Sequence, residues 1–216
     1  MSGLFKTLID IFLHLDKNLT FVIAQYGVLT YGLFFFVIFM ETGFVVTPFL
    51  PGDSLLFAGG AIAATAGLNI WLVFLIVFLA AFLGDTANYW IGHFIGPKIF
   101  EMDSKLIKKK YLLDAHKFYE KYGNKAIVLA RFVPIIRTFA PFVAGIAKMS
   151  YKHFITYNIV GGFAWVALFT WGGYFFGNLP FVKANFHYVV LAIIVLSLIP
   201  VFYEVYKAKV SPKIDL

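Results

Sequence analysis

Long apolar stretches with almost no charge alternate along this chain with short polar segments. Residues 18–40 contain no charged side chain, and residues 54–84 contain none either. About 20 apolar residues cross the roughly 30 Å of bilayer hydrocarbon. Residues 18–40 are therefore long enough for one membrane span, and Glu41 follows them. The second stretch is too long for one span, and glycines at 59, 60 and 67 divide it into a short piece and a long helix that ends near Ile95.

The second half of the chain repeats this pattern. Residues 126–147 are apolar but carry Pro134 and Pro141, and proline inside a helix kinks or breaks it. A charge-free helix is predicted from about His153 to Gly177, and a final one from about residue 184 to 203. Both long helices end in the pattern W-x-G-[HY]-F-x-G, at residues 90–96 and again at residues 171–177. We interpret this as an internal repeat.

Two amphiphilic segments flank these spans and suggest an orientation. Residues 3–16 set apolar against charged side chains at helical spacing, which is typical of an amphipathic helix lying at the membrane interface. Residues 97–125 hold eight lysines against four carboxylates, and cytoplasmic loops carry an excess of Lys and Arg. Counting crossings from a cytoplasmic 97–125 loop places both termini in the cytoplasm. The two proline-broken segments then enter from opposite sides, an architecture found in transporters.

The predicted fold is therefore an all-α integral membrane protein with about four transmembrane helices and two re-entrant hairpins in an inverted repeat. We treat residues 1–216 as a single membrane domain. Its predicted parts are the amphipathic helix 3–16, a first repeat 18–96 with hairpin 45–66, the basic loop 97–125, and a second repeat 126–206 with hairpin 126–147.

Composition supports the membrane assignment and excludes several kinds of chemistry. Hydrophobic residues make up 61% of the chain, charged residues 13%, and the mean hydropathy is +0.85; soluble domains are about 45–50% apolar and about 25% charged. There is no cysteine, so disulfides and thiolate metal sites are excluded. The five histidines are scattered without metal-ligand spacing, and we expect neither a metal nor another cofactor. The lysines of the +7 chain lie beside membrane segments, so the positive-inside rule explains them and nucleic-acid binding is not expected.

Four charges inside apolar, proline-broken segments are the candidate site. Arg131 and Arg137 are the only arginines, and Glu41 and Asp53 flank the other broken segment. A charge at mid-bilayer costs roughly 2.5–3.5 kcal/mol on insertion scales, so such charges persist where they pair, face water or hold a ligand. The arginines are candidates for gripping a lipid phosphate through bidentate donors; the alternative is that they snorkel or pair structurally with a carboxylate.

The two carboxylates are candidates for carrying protons. Burial and a nearby arginine shift the proton affinity of a carboxylate in opposite directions, so alternating between those environments would couple protonation to substrate release. For Asp53 a second interpretation is that it caps a helix beginning at residue 54 or 55. No cap explains Glu41.

A polar stripe on the first long helix supplies further candidates. Asp85 and Tyr89 are four residues apart and are expected to share one helix face. They could line the substrate pathway, Asp85 could pair with an arginine, or the neighbouring glycines could simply pack this helix against another. Six other residues are expected to shape the hairpins: Pro48, Pro51, Gly52, Pro134, Pro141 and Gly145.

Three motifs, taken in order, resemble the DedA family of bacterial inner-membrane proteins, part of the wider VTT-domain group. They are the run from Glu41 to Ser54; Gly84-Asp85 followed by Tyr89, Gly92 and Gly96; and Arg131-x-x-Pro134-x-x-Arg137 continuing to Gly145, Met149 and Phe154. The resemblance covers nearly the whole chain. It implies paired re-entrant hairpins, a bacterial inner-membrane location, and lipid translocation proposed for undecaprenyl phosphate or phosphatidylethanolamine. It also implies dependence on the proton gradient, with Glu41, Asp53, Arg131 and Arg137 required for activity.

The leading functional interpretation is a proton-coupled lipid flippase whose partners are phosphate-bearing lipids and protons. A proton-coupled exporter of small cations or other solutes is the alternative, with the carboxylates binding substrate and the arginines structural. A lipid-phosphate enzyme is less favoured, because the chain has no HExxH, Walker loop or G-x-S-x-G motif. The sequence leaves the lipid, its direction of movement and a possible homo-oligomeric state open.

Overall fold

The computed structural model describes residues 27–44, 52–96 and 109–185, together with the isolated positions 188 and 192. All regular structure in these ranges is helical. The predicted interfacial helix 3–16, Pro48, Pro51 and nearly all of the predicted final span lie outside the described residues. The helices, numbered in chain order, are α1 Val28–Gly43, α2 Gly52–Ala66, α3 Ile70–Ile95, α4 Lys109–Tyr122, α5 Ala126–Ala130, α6 Pro134–Ile146, α7 Tyr151–Gly177 and α8 Pro180–Ala184, with a 3₁₀ turn at Gly123–Lys125 between α4 and α5.

Local signals in the sequence account for several helix ends. The side chain of Asn69 caps α3 by accepting hydrogen bonds from the backbone N–H groups of Trp71 and Leu72, at 2.9 and 3.2 Å. Gly96 ends the same helix with a φ of 65°, a conformation that glycine adopts without steric cost. Pro134 is the first residue of α6, where its missing N–H removes no helical hydrogen bond. The predicted segment 126–147 is thus two helices separated by residues 131–133.

Two helices are long and apolar enough to cross a membrane, namely α3 with 26 residues and α7 with 27. They run antiparallel, because their contacts proceed in opposite directions along the chain. Trp71 packs on Trp171 with ring centroids 4.9 Å apart, Phe78 lies 6.3 Å from Phe163, and the Asn158 amide donates to the Phe82 carbonyl. The bounds predicted for these two helices are correct to within about two residues. The remaining predicted spans are described only in part, and the depth of the hairpins stays a prediction.

Helices α2 and α6 each pack against the long helix of the other half of the chain. In the α2–α7 contact, a Cβ on Gly60 would overlap the Thr170 carbonyl oxygen, and one on Gly173 would overlap the Phe57 carbonyl oxygen. In the α3–α6 contact, a Cβ on Gly92 would overlap the Phe142 carbonyl, and one on Gly145 would overlap the Tyr89 carbonyl. Small residues allow backbones to approach this closely. The same contact therefore occurs twice, and it includes Gly92 and Gly173 of the repeated W-x-G pattern.

Helix α1 continues through Glu41 to Gly43, beyond the charge-free stretch 18–40. The continuation is possible because Glu41 is buried in the protein and has an ionic partner there. Large apolar side chains that point outward, including Phe36, Phe94, Phe163 and Phe175, give the described helices a lipid-compatible surface.

Candidate functional site

Arg137 joins Glu41 and Asp53, which lie on two different helices of the first half of the chain. Its Nη2 lies 2.6 Å from Glu41 Oε1 and its Nη1 lies 2.5 Å from Asp53 Oδ1. The break at residues 131–133 and the start of α6 at Pro134 place Arg137 in the first turn of that helix. Glu41 comes from the last turn of α1, and Asp53 from the first turn of α2. Helix α2 begins at Gly52, so Asp53 lies inside the helix, and the prediction that it caps a helix starting at residue 54 or 55 is wrong.

Arg131 forms a second, separate set of contacts. Its Nη2 pairs with Asp85 Oδ2 and also donates to Asn158 Oδ1 at 2.5 Å. Asn158 is itself fixed, because its amide nitrogen donates to the Phe82 carbonyl at 3.1 Å and to the Thr86 hydroxyl at 3.4 Å. Arg131 occupies the turn between α5 and α6, while its two partners lie on the long helices α3 and α7. Arg131 accordingly connects α3 to α7 from the turn between α5 and α6.

The indole of Trp165, on α7, lies between the two arginines. The guanidinium carbon of Arg137 is 4.8 Å from its ring centroid and that of Arg131 is 5.8 Å away, within the range of cation–π attraction. Its Nε1 donates a hydrogen bond to Asp53 Oδ1 at 2.8 Å. Trp165 thus contacts Arg131, Arg137 and Asp53, which together with Glu41 and Asp85 we call the charge cluster.

Asn88 fixes the two backbones that carry the Arg137 site. Its amide nitrogen donates to the Thr42 carbonyl at 3.1 Å and to the Thr138 carbonyl at 2.7 Å. Thr42 follows Glu41 and Thr138 follows Arg137. One fully buried amide on α3 thus holds the end of α1 and the start of α6 at the separation that the Glu41–Arg137 pair requires.

The charge cluster is buried and not fully paired. The side chains of Glu41, Asp85, Arg131 and Arg137 are at most 5% exposed, whereas Asp53 is 12% exposed. Within the described residues, Glu41 Oε2, Asp85 Oδ1, two Arg131 nitrogens and Arg137 Nε have no hydrogen-bond partner. Buried polar atoms without partners are rare in folded proteins and point to a bound water, an ion or a functional role. Three carboxylates face two guanidinium groups, so with every group ionised the cluster carries a charge of −1 (2 − 3).

Tyr89, predicted to line the pathway with Asp85, is placed elsewhere. Its hydroxyl donates to the Met149 carbonyl before α7, and its ring packs on Phe154 with centroids 4.4 Å apart. It is buried, and it packs among aromatic rings and against the 147–150 turn. Asp85 pairs with Arg131, one of the options that the sequence left open.

The described hairpin-shaping residues occupy special positions. Gly52 lies directly against the Glu41 carboxylate, where any Cβ would overlap its oxygens. Pro134 begins α6, Pro141 lies buried inside that helix, and Gly145 contacts the backbone of α3. Among the residues of 27–44, 52–96 and 109–185, no group of three or more His, Cys, Asp or Glu side chains could hold a metal ion.

Sequence reasoning missed three residues of the site: Trp165, Asn88 and Asn158. Asn88 and Asn158 did carry a signal, because each is a polar residue inside a long apolar helix and burying an amide requires hydrogen-bond partners. Trp165 carried none, since it is one aromatic among many in an apolar helix.

An all-helical membrane protein with a buried cluster of opposite charges is the class that this geometry defines, and comparison with known proteins gives the family. The family model of the VTT domain matches residues 50–175. The chain is 50% identical to "Protein DedA" of Escherichia coli K12 over 205 residues, 94% of each chain. It is 46% identical to an uncharacterized membrane protein of Mycobacterium tuberculosis over 179 residues, 80% of this chain and 78% of the relative. It is also 30% identical to the E. coli inner membrane protein YqjA over 151 residues, 69% of each.

The chain therefore belongs to the DedA family of the VTT-domain group, and it is a membrane protein. This confirms the resemblance carried by its three motifs. No solved structure matches the chain significantly.

Proposed function

We propose that this protein is a transporter that moves a phosphate-bearing lipid, undecaprenyl phosphate or phosphatidylethanolamine, between membrane leaflets in a proton-coupled reaction. The observation that carries the proposal is the burial of Arg131 and Arg137 around Trp165, in the region between two long apolar helices. Guanidinium groups offer bidentate donors that match phosphate oxygens. Placing a charged side chain in an apolar environment is costly, and such charges persist where they bind a ligand.

Access to Arg137 requires a carboxylate to give way. Its two Nη groups bind Glu41 and Asp53, so a phosphate takes over these donors when one of the carboxylates loses its charge or moves. Protonating a carboxylate removes its attraction for the arginine and frees donors for the phosphate. Deprotonation restores the internal pair and expels the lipid.

The charge balance of the cluster supports proton coupling. An isolated excess charge is costly in a low-dielectric environment, and the cluster has three carboxylates for two arginines. A single bound proton makes the empty site neutral. Binding an anionic headgroup then requires further protons to keep the site neutral, which links lipid uptake to the proton gradient.

The competing functions make different use of the same residues. In a proton-coupled exporter of cations or other solutes, the carboxylates would bind substrate, yet in this arrangement Arg137 holds both Glu41 and Asp53. A lipid-phosphate enzyme is less favoured, because the chain has no HExxH, Walker loop or G-x-S-x-G motif. We therefore propose no enzymatic activity and no cofactor. The protein would work as a multi-pass component of the bacterial inner membrane with both termini in the cytoplasm.

The test is lipid translocation in proteoliposomes with an imposed pH gradient. The purified protein is given undecaprenyl phosphate or labelled phosphatidylethanolamine, with diacylglycerol as the headgroup-free control. We expect gradient-sensitive movement of a phosphate lipid only. Glu41→Gln removes the proton site while preserving shape, and should lower the gradient-dependent rate at least tenfold. Failure of the folded wild-type protein to move any phosphate lipid would contradict the proposal and favour the exporter.

A further inference from the structure

Within the charge cluster, the Asp53 carboxylate occupies the position that an oxyanion from outside the protein would take. Its Oδ1 accepts a hydrogen bond from Arg137 Nη1 at 2.5 Å and another from the indole Nε1 of Trp165 at 2.8 Å. With 12% of its side chain exposed, it is the most accessible of the three carboxylates; Glu41 is completely buried and Asp85 is 2% exposed. The carboxylate that is easiest to displace therefore occupies a position with two converging donors.

Trp165 contributes more than apolar volume. An indole has a single donor and no acceptor, and this one is completely buried with its ring held beside both guanidinium groups. The direction of the N–H bond is consequently fixed toward Asp53. A phenylalanine would fill the same core and keep the aromatic face, so the N–H group is the feature that distinguishes tryptophan here.

We propose that the lipid phosphate displaces the Asp53 carboxylate and takes over its two donors, which makes Trp165 a substrate-binding residue and Asp53 an internal competitor. This inference rests on the proposed function. A phosphate oxygen accepts the Trp165 N–H and the Arg137 Nη1 in place of Asp53 Oδ1. Glu41, bound to the other Nη of Arg137, keeps the guanidinium oriented during the exchange. The partly exposed side of Asp53 leaves room for the released carboxylate to turn away from Arg137.

The test is equilibrium binding of dihexanoyl phosphatidic acid to the full-length protein in detergent, with dihexanoylglycerol as the uncharged probe. Trp165→Phe keeps the ring and removes the donor, so binding of the phosphate probe should weaken about tenfold or more, as expected for a lost hydrogen bond to a charged group. Asp53→Asn removes the competing charge, so binding of the same probe should strengthen, by about tenfold on the same reasoning. Trp171→Phe is the matched control, because Trp171 is on the same helix but packs on Trp71 and Phe175. This variant should bind the phosphate probe with the affinity of the wild type.

Opposite changes in the two variants are the expected result, since general damage to the fold would weaken binding in both. Equal affinity in wild type and folded Trp165→Phe, or weaker binding in Asp53→Asn, would overturn the assignment while leaving lipid transport standing. If Trp165→Phe does not remain monodisperse, the sign of the Asp53→Asn change decides. A wild type that does not prefer the phosphate probe over dihexanoylglycerol would remove both this inference and the proposed function.

Discussion

The two halves of the chain use the same backbone contact, but they contribute opposite charges to the charge cluster. Helices α2 and α6 each approach the long helix of the other half so closely that glycines at the contact have no room for a Cβ. The first half supplies only carboxylates to the charge cluster, and the second half supplies only arginines. Every ion pair of the cluster therefore joins one half to the other. The repeated contact forms the frame, and the difference in charge between the halves creates the site.

The two arginine sites differ in turn. Arg131 is bound to the long helices α3 and α7 through Asp85 and Asn158, in a contact that is at most 2% exposed. Arg137 is bound to the ends of two shorter helices, and one of its partners is partly exposed. From this contrast we propose that Arg131 holds the halves together, while Arg137 exchanges partners in the proposed transport reaction.

The largest expected effect comes from breaking the Arg131 pair. Arg131→Met leaves Asp85 as a buried charge without its partner, and removing one partner of a buried pair costs about 3–5 kcal/mol. The free energy of unfolding of the purified protein in detergent measures this loss. Adding Asp85→Leu removes the orphaned charge, so the double variant should recover most of the stability. Equal stability of Arg131→Met and wild type would show that this pair does not hold the halves together.

A smaller effect is expected from the repeated backbone contact. Gly173→Ala places a methyl group against the Phe57 carbonyl, and such overpacking costs about 1–3 kcal/mol. Gly172→Ala is the matched control, because a Cβ at the neighbouring position meets nothing within 4 Å. Melting temperatures of the two variants should differ clearly, with Gly172→Ala close to wild type. Identical melting would mean that helices α2 and α7 are not in close contact.

Much of the frame was predictable from sequence. Uninterrupted apolar runs predicted α3 and α7, Gly67 marked the division before α3, and Pro134 marked the interruption at which α6 begins. The repeat was visible as two W-x-G patterns. The continuation of α1 past Glu41 was not predictable, because a charged residue usually marks the end of a membrane span. Its neutralising partner, Arg137, lies 96 residues further along the chain.

The charge cluster was predictable in its members but not in its pairing. Arginines and carboxylates in broken apolar segments were expected to matter, yet spacing alone could not assign Asp85 to Arg131 or both Glu41 and Asp53 to Arg137. Those pairings depend on how the halves pack. Trp165 was invisible for the same reason, since its importance comes from contacts with residues on three other segments.

The measurement that tests the central claim most directly is lipid translocation by Arg137→Lys. Lysine keeps the positive charge that Glu41 and Asp53 require but lacks the planar donors that bind a phosphate bidentately. The stability should fall by only about 1 kcal/mol, whereas gradient-driven movement of the phosphate lipid should fall at least tenfold. The exposed Lys152→Arg change is the control and should leave both quantities unaltered. Wild-type translocation by folded Arg137→Lys would contradict the claim that the guanidinium group of Arg137 binds the lipid phosphate.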